Sequence, residues 1–238
     1  VRYIGGKSKI ASALVDVIAG LAPEARVAVE PFMGGGAITA KLAQRYETVI
    51  ASDAHEDLVL MWQAVLAGWE PPTDISESEY QALKSEPPSA LRGFAGFGGS
   101  FGGKWFGGYA RGGFNSDGSP RNYSAESARA VNRIAKSLHG GVTVSLKDYL
   151  DVEVPDGALV YCDPPYANSQ GYTTGDFDSQ QFWKWADKVS DRATVVVSEY
   201  TAPETWKSVW CASKRLDLSR TSEARKSRHE NLFVRRGR

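Results

Sequence analysis

Residues 26–53 read RVAVEPFMGGGAITAKLAQRYETVIASD, and the order of residue types in this stretch decides the fold. Arg26 to Glu30 is a short β-rich run that enters Pro31-Phe32-Met33-Gly34-Gly35-Gly36. Ala37 to Tyr46 then follows with helical character, and Thr48 to Ala51 is a second β-rich run ending in Ser52-Asp53. Strand, glycine loop, helix, strand and acid is the opening of a doubly wound parallel sheet. Upstream, residues 8–22 (SKIASALVDVIAGLA) have amphipathic helical spacing, with Ser8 as the expected cap and Pro23 as the stop. Downstream, Glu56 to Ala67 continues as a helix.

The alternation breaks near Gly68. Residues 69–90 are polar and proline-bearing, with a helix expected around Glu77 to Lys84. Residues 93–118 hold eleven glycines interleaved with Phe94, Phe97, Phe101, Trp105, Phe106, Tyr109 and Phe114, and Ser124 to Leu138 is again helical. The α/β pattern resumes with strands at Val142 to Leu146 and Ala158 to Cys162, a helix at Ser179 to Ser190, and strands at Ala193 to Ser198 and Asn231 to Val234. The expected organisation is one α/β domain in two parts, 1–68 and 141–238, split by a mainly helical, glycine- and aromatic-rich insert, 69–140.

The 238 residues are 42% hydrophobic and 24% charged, an ordinary globular composition with enough apolar residues for a full core. No apolar run approaches the roughly 18 residues of a membrane span, and VRYIGGKSKI lacks the apolar centre of a signal peptide. Cys162 and Cys211 are the only cysteines, so neither a disulfide framework nor a metal site is indicated, and a cytoplasmic protein is expected. Cys162, inside an apolar strand, reads as a buried structural thiol. Net charge is zero, but it is unevenly spread. Residues 207–238 hold ten Lys/Arg against three Asp/Glu, and residues 92–136 hold seven against two. Two basic segments on a neutral chain suit a localised phosphate-binding face, although solvated surface would look the same by charge alone.

The loop Glu30 to Gly36 stands where a nucleotide-type cofactor binds, because glycines let a ligand approach the backbone at the carboxyl end of the first strand. Asp53 follows Gly34 by 19 residues at the next strand end, where an acid can grip a ribose diol. A triple glycine alone would be only a tight turn. No GxxxxGK[ST] is present, so a phosphate-cradling loop is not expected. Arg2-Tyr3-Ile4-Gly5-Gly6-Lys7 is either a frayed end or a segment whose Tyr3 and Lys7 fold back over the cofactor.

A second chemical signal is YCDPPYANS, residues 161–169. Prolines cannot feed a β-ladder, so the strand must stop at Asp163-Pro164-Pro165-Tyr166 and leave a rigid turn presenting a carboxylate, bare carbonyls and a ring. A carboxylate and a proline carbonyl can together accept both hydrogens of a planar exocyclic amine such as adenine's. Tyr166 then offers a face on which an extruded base stacks. The bland reading is a strand-terminating turn with a buried ring.

RYIGGK, EPFMGGG and DPPY, in that order, resemble the Dam-type N6-adenine DNA methyltransferases over nearly the whole chain. The resemblance implies a Rossmann-like, S-adenosylmethionine-dependent methyltransferase sheet with an inserted target recognition region. It implies further that Tyr3 and Lys7 contact the cofactor, that Phe32, Gly34 and Gly36 match the family's FxGxG, that Glu30 faces the methionine amino group and that Asp53 takes the ribose. Lys147-Asp148-Tyr149 resembles, more loosely, the segment bordering the cofactor's adenine. Asp163, Pro164, Pro165 and Tyr166 would hold the target adenine of double-stranded DNA, with Asp163 also near the cofactor. Lys104, Arg111 and Arg121 of the insert suit phosphate and base contacts. The basic run Arg220 to Arg228, with Arg225 and Lys226, resembles the family's DNA-clamping hairpin. A monomer in a prokaryotic or phage-infected cell is expected, with a cognate restriction endonuclease as a conceivable partner. Rival readings are methylation of another planar amine (cytosine N4, an RNA adenine, a glutamine) or a catalytically silent DNA-binding relative. His55, His139 and His229 read as unremarkable surface residues.

Overall fold

The computed structural model describes residues 6–138, 140–165, 177–214 and 228–237; of residues 213, 214, 228 and 229 it describes the backbone alone. Seven strands form one sheet: β1 (Val27–Glu30), β2 (Thr48–Asp53), β3 (Val142–Leu146), β4 (Leu159–Cys162), β5 (Thr194–Glu199), β6 (Trp206–Lys214) and β7 (Arg228–Arg235). Their order is β3-β2-β1-β4-β5-β7-β6. The first five are parallel, while β7 runs antiparallel to both β5 and β6. Strand order reverses between β1 and β4, so the carboxyl ends of these neighbours flank the crevice where open α/β sheets bind ligands. The expected α/β fold class is met.

Alternation along the strands divides the apolar residues between two faces. Ala28, Leu159, Tyr161, Val196 and Leu232 join one cluster, with Leu14 and Ile18 of α1 (Ala11–Leu21) and Leu58, Met61 and Trp62 of α3 (Glu56–Leu66). Val29, Val160, Cys162, Val195, Val197 and Phe233 join the other, with Phe182 and Ala186 of α7 (Ser179–Val189). Strands covered on both faces read as near-continuous apolar runs, which is how β4 and β5 stand out in the sequence. Cys162 is fully buried, as its apolar setting suggests.

Several boundaries differ from the sequence expectation. The first helix starts at Ala11 with Ile10 as its cap and no side-chain cap bond, so Ser8 does not cap it. After the glycine loop only α2 (Thr39–Leu42) is regular helix. The last strand begins three residues earlier than expected, and β6, its hairpin partner, was not expected at all.

Within the insert, α4 (Glu77–Leu83) begins with a capping box in which Glu79 N–H donates to Ser76 Oγ at 3.2 Å and Ser76 N–H to Glu79 Oε2 at 2.7 Å. Next comes a helix the composition conceals, α5 (Ala90–Gly98), capped by Ser89, and then α6 (Tyr123–Ala135), capped by Asn122. Ile75, Tyr80, Phe94, Phe97, Ala128 and Val131 share one core with Leu58 and Trp62, so the insert packs directly onto α3.

Candidate active site

The carboxyl ends of β1, β2 and β4 bring three acids to one rim: Glu30, Asp53 and Asp163. The glycine loop between β1 and α2 is shaped from below. Gly34 and Gly36 have φ of 50° and 73°, a region that favours glycine, and a Cβ on Gly36 would lie 2.8 Å from Trp62 Cζ2. Trp62 Nε1 donates to the Gly34 carbonyl at 3.1 Å, while Gly34 N–H donates to Asp53 Oδ2 at 2.8 Å. The other Asp53 oxygen accepts the His55 N–H at 3.0 Å, where α3 begins. Burial pushes the Asp53 carboxyl up, opposed by the N–H groups of His55, Gly34 and Ala54. Each oxygen keeps lone-pair capacity for a further donor such as a ribose hydroxyl. Ser52 Oγ and His55 Nδ1 are buried beside it without a hydrogen-bond partner among the described residues.

Glu30 is only 2% exposed. Thr39 Oγ1 donates to its Oε2 at 2.6 Å, and none of the ion pairs among the described residues includes it. Burial drives its carboxyl well above the ordinary range; the Thr39 hydrogen bond opposes this, and Asp163 and Asp53 add to it. A buried acid with no cation beside it among the described residues can take up an ammonium group.

Lys7 lies just ahead of α1, with its ammonium buried between two acids from different strands. It donates to Asp163 Oδ1 at 2.8 Å and stands 2.9 Å from Glu230 Oε1 on β7. Burial alone would pull this ammonium down, but Asp163, Tyr161 and Glu230 outweigh it and hold Lys7 above the ordinary lysine range. Ser198 Oγ, at the end of β5, donates to the same Glu230 oxygen at 2.7 Å. Asp163 therefore leaves β4 with Oδ1 held by Lys7, and its side chain is 22% exposed. Pro164 is buried and Pro165 half-buried behind it.

Phe32 is half-buried and stacks on Tyr149 with ring centroids 5.5 Å apart, beside Phe177 and Phe182. Tyr149 is buried in this cluster, its phenol pushed up to about 12 by burial, with Asp148 and Asp178 adding. Asp148 is exposed and caps the following turn through Leu150 N–H at 3.0 Å. His55 is no surface residue: its ring is half-buried, 5.0 Å from Phe97 and 4.3 Å from Trp105 of the insert. The insert's aromatic rings thus touch the residue two positions beyond Asp53.

Of the anticipated DNA contacts, Lys104 and Arg111 are exposed, the latter with Nη2 2.6 Å from Glu77 Oε1. Arg121 holds Glu126 with two hydrogen bonds, 2.8 and 2.6 Å, and lies over the Tyr123 ring. Tyr3, Tyr166, Arg220, Arg225, Lys226 and His139 lie outside the described residues, and Arg228 and His229 are described only as backbone of β7. No helix among the described residues is long and apolar enough to cross a membrane.

Sequence reasoning missed Glu230, Ser198 and Thr39. Alternation could not single out Glu230, because Leu232 and Phe233, on opposite faces of β7, are both buried.

Residues 3–90 match the family of D12 class N6 adenine-specific DNA methyltransferases. The matched stretch contains the glycine loop, Glu30 and Asp53, and it ends before the DPPY turn. Over 68 residues the chain is 38% identical to the Type II methyltransferase M.MjaIII of Methanocaldococcus jannaschii, covering 27% of this chain and 24% of that protein. The chain thus aligns with about a quarter of that relative's length. Among solved structures, the rRNA methylase of Streptococcus thermophilus aligns over 92% of both chains at 13% identity and a TM-score of 0.38. The tRNA (m1A58) methyltransferase TrmI of Aquifex aeolicus aligns over 96% of this chain and 67% of its own at 12% identity, also with a TM-score of 0.38.

Proposed function

We propose that this protein is a DNA adenine methyltransferase that transfers the methyl group of S-adenosylmethionine to the exocyclic N6 of an adenine extruded from the duplex. The match of residues 3–90 to an adenine-specific DNA methyltransferase family supports the reaction class. The observation that carries the reading is the setting of Asp163. A buried ammonium fixes one of its oxygens at 2.8 Å, at the carboxyl end of the strand beside the glycine loop. The carboxylate is thereby held where a base amino group and a cofactor bound at Glu30 and Asp53 could meet.

S-adenosylmethionine, when bound, supplies a methyl group already made electrophilic by its sulfonium. What the protein must overcome is the delocalisation of the adenine amino lone pair into the ring. Asp163 and the Pro164 carbonyl accept hydrogen bonds from the two amino hydrogens and favour a more tetrahedral, nucleophilic nitrogen. As the nitrogen's bond to the methyl carbon forms, the carbon–sulfur bond breaks to leave a neutral thioether, and the nitrogen gives up its surplus proton to Asp163 or to solvent. Tyr166 stacks on the base and holds it out of the helix, at a cost of about a few kcal/mol of lost pairing and stacking. Glu30 binds the ammonium of the cofactor and Asp53 its ribose, which fixes the line of attack. Catalysis is then positioning and electrostatics, with no covalent intermediate and no use for either cysteine.

The direct test is transfer of label from radiolabelled S-adenosylmethionine to unmethylated duplex DNA, with Asp163→Ala as control. Label recovered as N6-methyladenine and lost in the variant is the expected result. Label on cytosine, on RNA or on protein, or cofactor binding without turnover, would overturn the proposal in favour of another amine substrate or a silent relative.

A further inference from the structure

Glu230 reaches the reactive carboxylate from a strand two places along the sheet, across β5. It stands on β7, a strand antiparallel to β5, and is 1% exposed. Its Oε1 lies 2.9 Å from Lys7 Nζ and accepts the Ser198 hydroxyl at 2.7 Å. Lys7 Nζ is in turn 2.8 Å from Asp163 Oδ1. The chain Ser198–Glu230–Lys7–Asp163 thus starts at a buried serine of β5 and ends at Asp163, the most exposed of the four. A buried ammonium paired with a single carboxylate would satisfy itself at that carboxylate's expense, drawing charge from its oxygens. With two acids competing for it, neither is fully neutralised.

We infer that Glu230 is a positioning residue that shares the Lys7 ammonium and so keeps Asp163 both fixed in place and a strong hydrogen-bond acceptor. The inference rests on the methyl-transfer reading above, and it assigns work to a strand beyond the matched family segment. Geometry supports a specific rather than a generic role. The acid is buried, its partner is buried, and the contacts among the described residues lead from it through Lys7 to Asp163. It also joins the reacting centre to the hairpin formed by β6 and β7, whose two ends pair at Lys214 and Arg228 on either side of the basic residues 215–227.

The groups that bear on the ionisation of Asp163 come from several elements. Among the described residues, Lys7 ahead of α1, Glu30 at the end of β1 and Cys162 on β4 are coupled to Asp163 by charge, and Glu230 on β7 reaches it through Lys7. Lys7 is the one cation among them. Removing negative charge at position 230 leaves its full attraction to Asp163, so the carboxylate holds its charge to lower pH and accepts hydrogen bonds more weakly.

The test is the pH dependence of kcat for methyl transfer by the full chain. Glu230→Gln should lower the plateau of kcat roughly tenfold to a hundredfold, the scale of a displaced reacting group, and move the acid limb to lower pH. KM for S-adenosylmethionine should stay within about threefold, because a group that acts mainly in the transition state lowers kcat rather than binding. Ser198→Ala removes a donor from Glu230, which then holds Lys7 more strongly, so its acid limb should move the opposite way, to higher pH. A purely structural role would lower the melting temperature of both variants and shift neither limb, and that result overturns the inference. So does Glu230→Gln with the wild-type plateau and limb. If Glu230→Gln does not fold, the direction of the Ser198→Ala limb decides alone, and an unmoved limb counts against the inference. A wild-type chain that transfers no methyl to adenine would instead defeat the underlying reading, an outcome separable from these because it is seen before any variant is made.

Discussion

Glu30 carries the clearest physical tension at the scale of a single residue. It is sealed from water, held by one hydroxyl, and raised above the ordinary carboxyl range chiefly by burial. The sign of the linkage follows. Between the ordinary carboxyl value of about 4.3 and the raised value in the fold, the folded chain binds a proton that the unfolded chain does not. Stability contributed at this position is therefore present at low pH and is lost as pH rises through that window. Glu30→Gln keeps the size and the acceptor for Thr39 but never ionises, so at neutral pH it should melt about 2–4 °C higher than the parent, the shift that ~1 kcal/mol gives a chain of this length. The difference should vanish below about pH 4, where both states of the parent hold the proton. The same residue should report on cofactor binding. A cationic ligand favours the ionised acid, so binding should release a proton and the calorimetric heat should vary with buffer ionisation enthalpy. Glu30→Gln should bind more weakly and lose that buffer dependence; equal heats in all buffers for the parent would remove Glu30 from the cofactor contact.

Elements rather than residues explain what composition hid. Helix α5 contains Gly93, Gly96 and Gly98, each costing up to about 1 kcal/mol of helix propensity, and a run so rich in glycine reads as a loop. The glycines are there for contact. A Cβ on Gly93 would sit 2.2 Å from the Asp57 carbonyl oxygen of α3, and one on Gly96 would sit 2.3 Å from the Trp105 ring. The two helices are further tied by Asp57, which accepts Arg92 Nη1 at 2.6 Å and the Ser89 N–H at 2.9 Å. Propensity is thus overridden by packing, which a single sequence does not display. Gly93→Ala, which improves local helix propensity, should nevertheless destabilise the protein by about 1–3 kcal/mol through overpacking. Asp57→Ala should cost about 3–5 kcal/mol, the loss expected when one partner of a buried pair is removed. Denaturant midpoints measure both, and a stabilised Gly93→Ala would refute the close-contact account. Strand β6 escaped for a different reason. Trp206–Lys214 alternates weakly and carries charge at both ends, so nothing marks it until β7 supplies its partner. The central parallel strands β1, β4 and β5 were legible because both of their faces are buried.

For the molecule as a whole, the site divides along the same line. Glu30, Asp53 and Asp163 were readable because each stands at the end of a legible strand, Glu30 and Asp163 directly before a proline. Glu230 was not, since its importance depends on β7 lying beside β5, a tertiary fact. Charge behaves likewise. On a chain of zero net charge, DNA affinity must come from a local concentration of cations, and the structure commits several of the candidates internally. Within the basic segment 92–136, Arg92 pairs with Asp57, Arg111 with Glu77 and Arg121 with Glu126. An arginine already bound to a carboxylate gives up that pair to reach a phosphate, so it adds less to binding than a free one. We expect the segment 207–238, with ten cations against three acids and Arg235 paired with Asp187 and Asp191, to supply most of the phosphate contacts. The affinity for duplex DNA should fall linearly on a log–log plot against salt, with the slope reduced by about 0.9 for each phosphate contact removed. Replacing Arg225 and Lys226 with alanine should therefore flatten the slope by roughly two contacts, whereas Arg121→Ala should leave it nearly unchanged and weaken the fold through Glu126 instead. Fluorescence anisotropy across a salt series gives both slopes. A slope that responds to Arg121 and ignores Arg225 and Lys226 would move the DNA face from the carboxyl-terminal hairpin to the insert.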